Sequence, residues 1–427
     1  MNHLRTFWHR IGARCRAYPR AAIAGMAVAV FVTFMTVLPA RWAQNQSTDY
    51  AAVHKPVAMQ ILNGNGITTA NGAVALQYPP LFSALLAGES MLSSWLGLPD
   101  ESFLRTFAAL VAAASAILVF SIAKVVYGER IAWFSALLWM TYPFNLWLLK
   151  QPNSEQPFVL VFLGVVFLMV QALEARRVGV GFAFMIGILI GVSSLFRPIT
   201  IVFSLVFSFV VLHWKSDWNL LERLRFIACV LLGNALAVLP WELFAFNQTG
   251  EVIPLSSSGA RGLLDGLTIA RRAGEHVPSP PGQSSVNDFM RDALARSAEL
   301  QSTREIFEFV WLRFVQSPMT IVKLVLLKAG RSWFATDAQW YERQVAIVQL
   351  PYLLLAMGGV MVAVKKHANR KFIALTLASV VYFWAMTIMV LSILRYMVPV
   401  IALLLIFAGV AVDALLSRFR PRNGLGP

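Results

Sequence analysis

The chain has 427 residues and a mass of 47.3 kDa. Hydrophobic residues make up 58% and charged ones 13%, against about 45–50% and about 25% in an ordinary soluble domain; mean hydropathy is +0.65. So little charge cannot cover a soluble surface of this size, which excludes a soluble enzyme, a disordered tail and a secreted disulfide scaffold. The net charge of +15 sits in short loops between apolar runs, so it reads as a membrane-topology signal and not as a nucleic-acid footprint.

A helical span takes about 20 apolar residues. In chain order the candidates are 21–40, 102–123, 131–149, 157–173, 180–196, 199–213, 226–246, 344–364, 372–392 and 396–415, or about ten spans. The stretch 79–97 is ambiguous: it opens on Pro79-Pro80 and carries Glu89 and several serines. Charge decides it. Residues 1–20 hold five arginines and no acid, which puts the N-terminus in the cytoplasm. If 79–97 does not cross, the cytoplasmic short loops hold fourteen Lys and Arg, and the opposite loops hold three, Lys150, Arg197 and Arg395. If it crosses, the bias inverts. The charge count therefore predicts that 79–97 lies on or dips into the outer face, with both termini cytoplasmic.

Soluble-looking sequence is then confined to two outer segments, 41–101 and 247–343. The second has a proline-rich middle (Pro278, Pro280, Pro281), then reads as an amphipathic helix over 288–315 and another over 318–334. One bundle over 1–427 is expected, with no separate soluble domain.

Charge at the bilayer midplane costs roughly 2.5–3.5 kcal/mol on insertion scales, so ionisable groups near a membrane face are informative. Asp49, Lys55, Glu155, Arg197 and Arg395 all fall at outer ends of spans or just beyond them. Acids and bases on one face suit an anionic headgroup and acid/base work on it. Asp49 has the chemistry of a general base, or of a first-turn carboxylate following the caps Ser47 and Thr48. Glu155 follows Pro152 and Ser154 and is open to the same two readings. Arg197 and Arg395 offer planar forks suited to phosphate oxygens, the plain alternative being snorkelling. Lys323 and Lys328 punctuate an apolar helix, as in an interfacial helix against anionic lipid; membrane anchoring and substrate contact both fit. Of the histidines, His54 alone is near this group. No His/Cys spacing for zinc and no phosphate-binding loop occurs in the sequence.

The ordered set of motifs resembles the integral-membrane glycosyltransferases of the GT-C fold, and within them the family 39 group of protein O-mannosyltransferases and the lipid A aminoarabinose transferase. The residues that carry the resemblance are Thr48-Asp49-Tyr50, Leu62-Asn63-Gly64-Asn65-Gly66, Tyr78-Pro79-Pro80-Leu81, Arg105, Tyr142-Pro143 and Ser154-Glu155-Gln156-Pro157. Further along stand Phe196-Arg197-Pro198, Pro240-Trp241, Asn247 with Gly250, Pro254-Leu255-Ser256 and Arg395-Tyr396 with Pro399. The chain departs from the family at three points: Tyr50 stands where relatives often carry a second acid, Gln77 and Tyr78 where the aminoarabinose transferase has an acid and a lysine, and Phe246 where an arginine is common.

The resemblance implies an all-α, polytopic GT-C-like bundle of about ten transmembrane helices with outer-face juxtamembrane helices. It implies a sugar donor on a polyprenyl phosphate, an acceptor that is a lipid, glycan or protein, and transfer on the periplasmic face of the cell (inner) membrane. Asp49 would be the base of an inverting displacement, with Glu155 orienting acceptor or base. Lys55, Tyr78, Arg197, Arg395, Tyr396, Lys323 and Lys328 would contact substrate. No nucleotide and no nucleic acid are expected; a divalent metal stays open, with no ligand set assigned. Two rivals are a polysaccharide polymerase or O-antigen-ligase-like enzyme and a secondary transporter. The transporter is disfavoured by one-sided charge and the lack of a repeat.

Overall fold

The computed structural model describes residues 17–38, 48–269, 284–337, 339–366 and 368–418. The basic residues 1–16, the proline-rich stretch 278–282, Ser47, and Arg420 and Arg422 lie outside them. The described residues are nearly all helical, and the strand-like pairing among them is an isolated antiparallel bridge, Thr68–Val74.

In chain order the helices are α1 (Pro19–Val37), α2 (Lys55–Leu62, entered through a π-helical turn, Tyr50–His54), α3 (Leu81–Trp95), α4 (Asp100–Tyr127), α5 (Glu129–Met140) and α6 (Pro143–Leu148). There follow α7 (Glu155–Glu174), α8 (Val180–Phe196), α9 (Phe203–Trp214), α10 (Leu220–Thr249), α11 (Gly259–Thr268) and α12 (Ser284–Ala295). The last are α13 (Thr303–Gln316), α14 (Pro318–Arg331), α15 (Glu342–Lys365), α16 (Arg370–Met389) and α17 (Val398–Arg418).

Seven of these, α1, α4, α7, α10, α15, α16 and α17, are long and apolar enough to cross a bilayer. The chain is a multi-span membrane protein. The expected ten spans differ from this at three places. The segment 131–149 is two helices, because Tyr142 is extended before Pro143 and breaks the run. The segments 180–196 and 199–213 are apolar helices too short to count by length alone. The amphipathic stretch expected over 288–315 is also two helices, α12 and α13. Ser302 and Glu305 form a reciprocal capping box that starts α13 afresh.

Helices α4, α7 and α17 form the middle of the bundle, with most of their apolar length buried, whereas α1, α10 and α15 turn most of theirs outward. Apolar exposure of that kind faces lipid in a spanning helix. Rings fill the centre: Phe383 of α16 packs edge-on to Phe162 of α7 at 5.0 Å, and Phe203 of α9 lies 5.4 Å from Phe162. Close approach needs glycine at one peripheral contact. A Cβ at Gly359 of α15 would stand 1.7 Å from the Phe407 carbonyl oxygen of α17, so only glycine lets these backbones touch.

Ionic groups collect at two ends of the bundle. At one end Lys124 pairs with Glu129, Arg130 with Asp413, and the fully buried Lys215 donates to the Leu173 carbonyl (3.0 Å) and to Asp217 (2.7 Å). At the other end Tyr50, Lys55, Asp100, Arg105 and Lys150 line one cavity. The segment after α1, the start of α4 and the end of α6 therefore meet there. Helix α3 leaves and returns to the same end: Tyr78 before it touches Asp49, and Asp100 after it accepts from Ser93 at 2.8 Å. It does not run the length of the bundle.

Candidate functional site

Four chain breaks deliver charged side chains to this end. Arg197 precedes Pro198, whose ring drives the preceding residue out of the helical region; Arg197 is extended at φ −148°, ψ 127°, and α8 stops at Phe196. Glu155 opens α7 after Pro152. Its approach loop is pinned by Gln156, which donates through Nε2 to Asn145 Oδ1 (3.2 Å) and through its backbone N–H to Asn153 Oδ1 (3.1 Å). Arg395 and Tyr396 form a short 3-10 turn between α16 and α17. Asp49 caps the π-helical turn, but its carboxylate makes no capping hydrogen bond. Its side chain is directed at other partners.

Those partners define the site. The Tyr78 hydroxyl donates to Asp49 Oδ1 at 3.2 Å. Arg395 is shared by three carboxylates: Nη2 lies 3.7 Å from Asp49, Nε 3.3 Å from Glu155 and Nη1 3.4 Å from Asp337. Glu155 is buried and also pairs with Arg197. Arg197 stacks on the Tyr396 ring at 4.8 Å, and Arg395 lies 5.5 Å from the same ring. Burial works against the Arg395 charge, yet Asp337, Glu155 and Asp49 together raise its pKa well above the ordinary value. Burial, reinforced by Asp49, raises the Tyr78 phenol, so it stays a protonated donor.

A cavity of about 280 Å³ adjoins this network, walled by Tyr50, Lys55, Asp100, Arg105 and Lys150. Arg105 pairs with Glu101 at 2.8 Å, whereas Lys55 and Lys150 have no carboxylate within salt-bridge distance among the described residues. Lys150 rests on the Trp147 ring at 4.6 Å. Burial lowers its pKa and Asp337 offsets part of that.

The structure thus brings together Asp49, Tyr78, Glu155, Arg197, Arg395 and Tyr396, and places Lys55 across the π-helical turn from them. It does not bring Lys323 or Lys328 into the ion-pair network. Lys323 is exposed on α14, and Lys328 is buried with Nζ donating to the Val390 carbonyl at 3.1 Å, where it caps the end of α16. Two further charged groups, Asp337 and Lys150, stand beside the network. Asp337 lies in the loop after α14, held by the Arg331–Glu342 pair (2.7 Å) and by Leu394 N–H donating to the Ala335 carbonyl (2.9 Å). An acid between Trp333 and Trp340 ahead of a span was the signal available for it. Lys150 reads in the sequence only as a loop charge. His54 is buried beside the site, with Nδ1 3.0 Å from Ser83 Oγ and its ring 5.0 Å from that of Tyr78. No cluster of three or more metal-type side chains occurs among the described residues.

The profile of the dolichyl-phosphate-mannose-protein mannosyltransferase family matches residues 77–241, a stretch that contains Tyr78, Glu155 and Arg197. No curated protein matches the chain in sequence. Among solved structures, the oligosaccharyltransferase AglB of Archaeoglobus fulgidus, in complex with an inhibitory peptide and a dolichol-phosphate, superposes at TM-score 0.53 and 12% identity, covering 95% of this chain and 51% of that one. The same organism's enzyme tethered to an acceptor peptide superposes at 0.58 and 11% identity, covering 95% and 50%. ArnT of Cupriavidus metallidurans bound to undecaprenyl phosphate gives 0.44 at 14% identity, covering 93% and 78%, too loose a superposition to carry weight. The chain spans about half the length of the oligosaccharyltransferases it matches. The likeness is one of fold: the bundle is of the GT-C type.

Proposed function

We propose that the protein transfers a sugar from a polyprenyl-phosphate donor to an acceptor hydroxyl at the periplasmic face of the cell membrane, with inversion at the anomeric carbon. The observation that carries this reading is the Asp49 carboxylate, half exposed and held between the Tyr78 hydroxyl and Arg395 at the end of the bundle where the charged cavity opens. AglB is described with a dolichol-phosphate, and the matching family profile is named for a dolichyl-phosphate donor; both agree with a lipid-phosphate donor here.

In this reading Asp49 takes the acceptor proton as the acceptor oxygen bonds to the anomeric carbon. The bond from that carbon to the phosphate oxygen breaks, and the polyprenyl phosphate leaves with the electron pair. Preorganised cations are worth most where charge develops. Arg197 and Arg395 carry two positive charges against the three carboxylates of Asp49, Glu155 and Asp337. Their guanidiniums are largely committed, and Glu155 is the group that fixes both. Lys55 and Lys150, lining the adjoining cavity, are better placed to receive the phosphate, with Arg395 facing it from the network. Tyr78 holds the orientation of Asp49.

The test is Asp49→Asn, purified and reconstituted in nanodiscs with polyprenyl-phosphate sugars. Removing a positioned general base lowers turnover by about 10²–10⁴-fold, while polyprenyl-phosphate binding persists. Undiminished transfer by this variant refutes the assignment of the base.

A further inference from the structure

A second cavity, of about 370 Å³, lies under the first outer loop. The π-helical turn after Asp49 separates it from the charged cavity. Tyr50, Ala51 and Lys55 face the charged cavity, and Val53, His54 and Val57 face the second. The two differ in chemistry. Lys55, Arg105, Lys150, Asp100 and Glu101 line the first; among the described residues no Lys, Arg, Asp or Glu lines the second. We propose that this second cavity is the acceptor subsite and that it takes an uncharged saccharide, presenting one hydroxyl toward Asp49 past the Tyr78 ring. This rests on the transferase reading above.

Four observations support it. The wall nearest the network is Tyr78, which lines the cavity and whose hydroxyl reaches Asp49 at 3.2 Å. A hydroxyl held against that ring is one side chain away from the base. The apolar walls, among them Val57, Pro79 and Ile253, suit the C–H face of a sugar ring, while Gln77, Ser83 and Ser257 supply amide and hydroxyl partners for ring hydroxyls. A phosphorylated acceptor would leave water for a cavity with no cation to compensate it, a cost that an uncharged sugar avoids. An extended peptide is disfavoured for a different reason. The backbone groups along the rim are already used: Ala75 N–H donates to the Ile67 carbonyl, Ser257 N–H to the Leu76 carbonyl, and the Ser256 hydroxyl to the Gln77 carbonyl.

The reaction closes without a further reactant. The acceptor O–H proton passes to Asp49, the acceptor oxygen bonds to the anomeric carbon, and the polyprenyl phosphate departs into the charged cavity.

Saturation-transfer NMR on the full chain in nanodiscs tests this with methyl glycosides of glucose, mannose, galactose and N-acetylglucosamine, with glucose 6-phosphate, and with the neutral peptide acetyl-Ala-Ser-Ala-amide. The expected result is a signal from at least one methyl glycoside, a signal from glucose 6-phosphate weaker by about tenfold or more, and none from the peptide. Ser257→Trp, at an exposed rim position, is expected to abolish the glycoside signal and to leave undecaprenyl-phosphate binding intact. Preference for the sugar phosphate or the peptide, no glycoside signal, or glycoside binding that survives Ser257→Trp overturns the assignment. Undecaprenyl phosphate is titrated in parallel: if it fails to bind, the transferase reading fails, and if it binds while the glycosides do not, the acceptor subsite alone fails.

Discussion

Glu155 is the group on which both arginines depend, so Glu155→Gln is the most informative perturbation of the network. The substitution keeps shape and volume and removes one buried negative charge. Arg197 then loses the one carboxylate that pairs with it among the described residues, while Arg395 keeps Asp49 at 3.7 Å and Asp337 at 3.4 Å. Removing one partner from a buried pair costs about 3–5 kcal/mol, because the other charge is left uncompensated. Arg197 retains the Tyr396 ring and some solvent contact, so the lower end, about 3 kcal/mol, is expected. The assay is unfolding free energy in mixed micelles titrated with SDS. Glu155→Gln combined with Arg197→Met is expected to recover most of the loss, since replacing both partners of a buried pair is often neutral. A single variant as stable as the parent, or a double variant that loses as much as the two singles added, refutes the account of Glu155 as the anchor of Arg197.

The other predictions concern the phosphate, pH and packing. Lys55→Ala with Lys150→Ala is expected to weaken polyprenyl-phosphate binding by about tenfold or more without unfolding the protein, as titration in nanodiscs would show. Burial lowers the His54 pKa to about 4, below the ordinary value of 6.5. The unfolded chain therefore binds the extra proton first as pH falls. The stability that neutral His54 brings is complete above pH 6.5 and is lost down to about pH 4, to a total of about 3 kcal/mol. His54→Gln is expected to flatten that acid limb in thermal melts, and an unchanged limb counts against it. Gly359→Ala is expected to push α15 from α17, because the new Cβ meets the Phe407 carbonyl oxygen. Faster proteolysis between α14 and α16 would report the displacement, and native-like resistance would contradict it.

Much of this protein is written locally in its sequence. Apolar runs of span length mark the membrane helices, and the lopsided Lys and Arg count argues against a crossing at 79–97. Pro198 set Arg197 at a helix end, and Pro152 helped do the same for Glu155. Such features depend on neighbours a few residues apart, so hydropathy and capping chemistry expose them. The same local reading erred where one residue mattered more than the average: Pro143 broke an apolar run, and the Ser302–Glu305 capping box restarted a helix.

Which charges meet is another matter. The sequence around Lys150 does not distinguish it from other loop charges, and around Asp337 only the flanking Trp333 and Trp340 do. That Arg395 serves Asp49, Glu155 and Asp337 together follows from packing that closes separations of tens to hundreds of residues. So does the pair of cavities, one charged and one neutral, on either side of a single turn. The sequence determined that these acids and bases would fall at the ends of apolar runs and not within them, because charge is excluded from the hydrocarbon. Only the tertiary structure decided which cations are spent on carboxylates and which, Lys55 and Lys150, line a cavity without a carboxylate in salt-bridge distance among the described residues, because ion pairing depends on a few ångströms that no local pattern encodes.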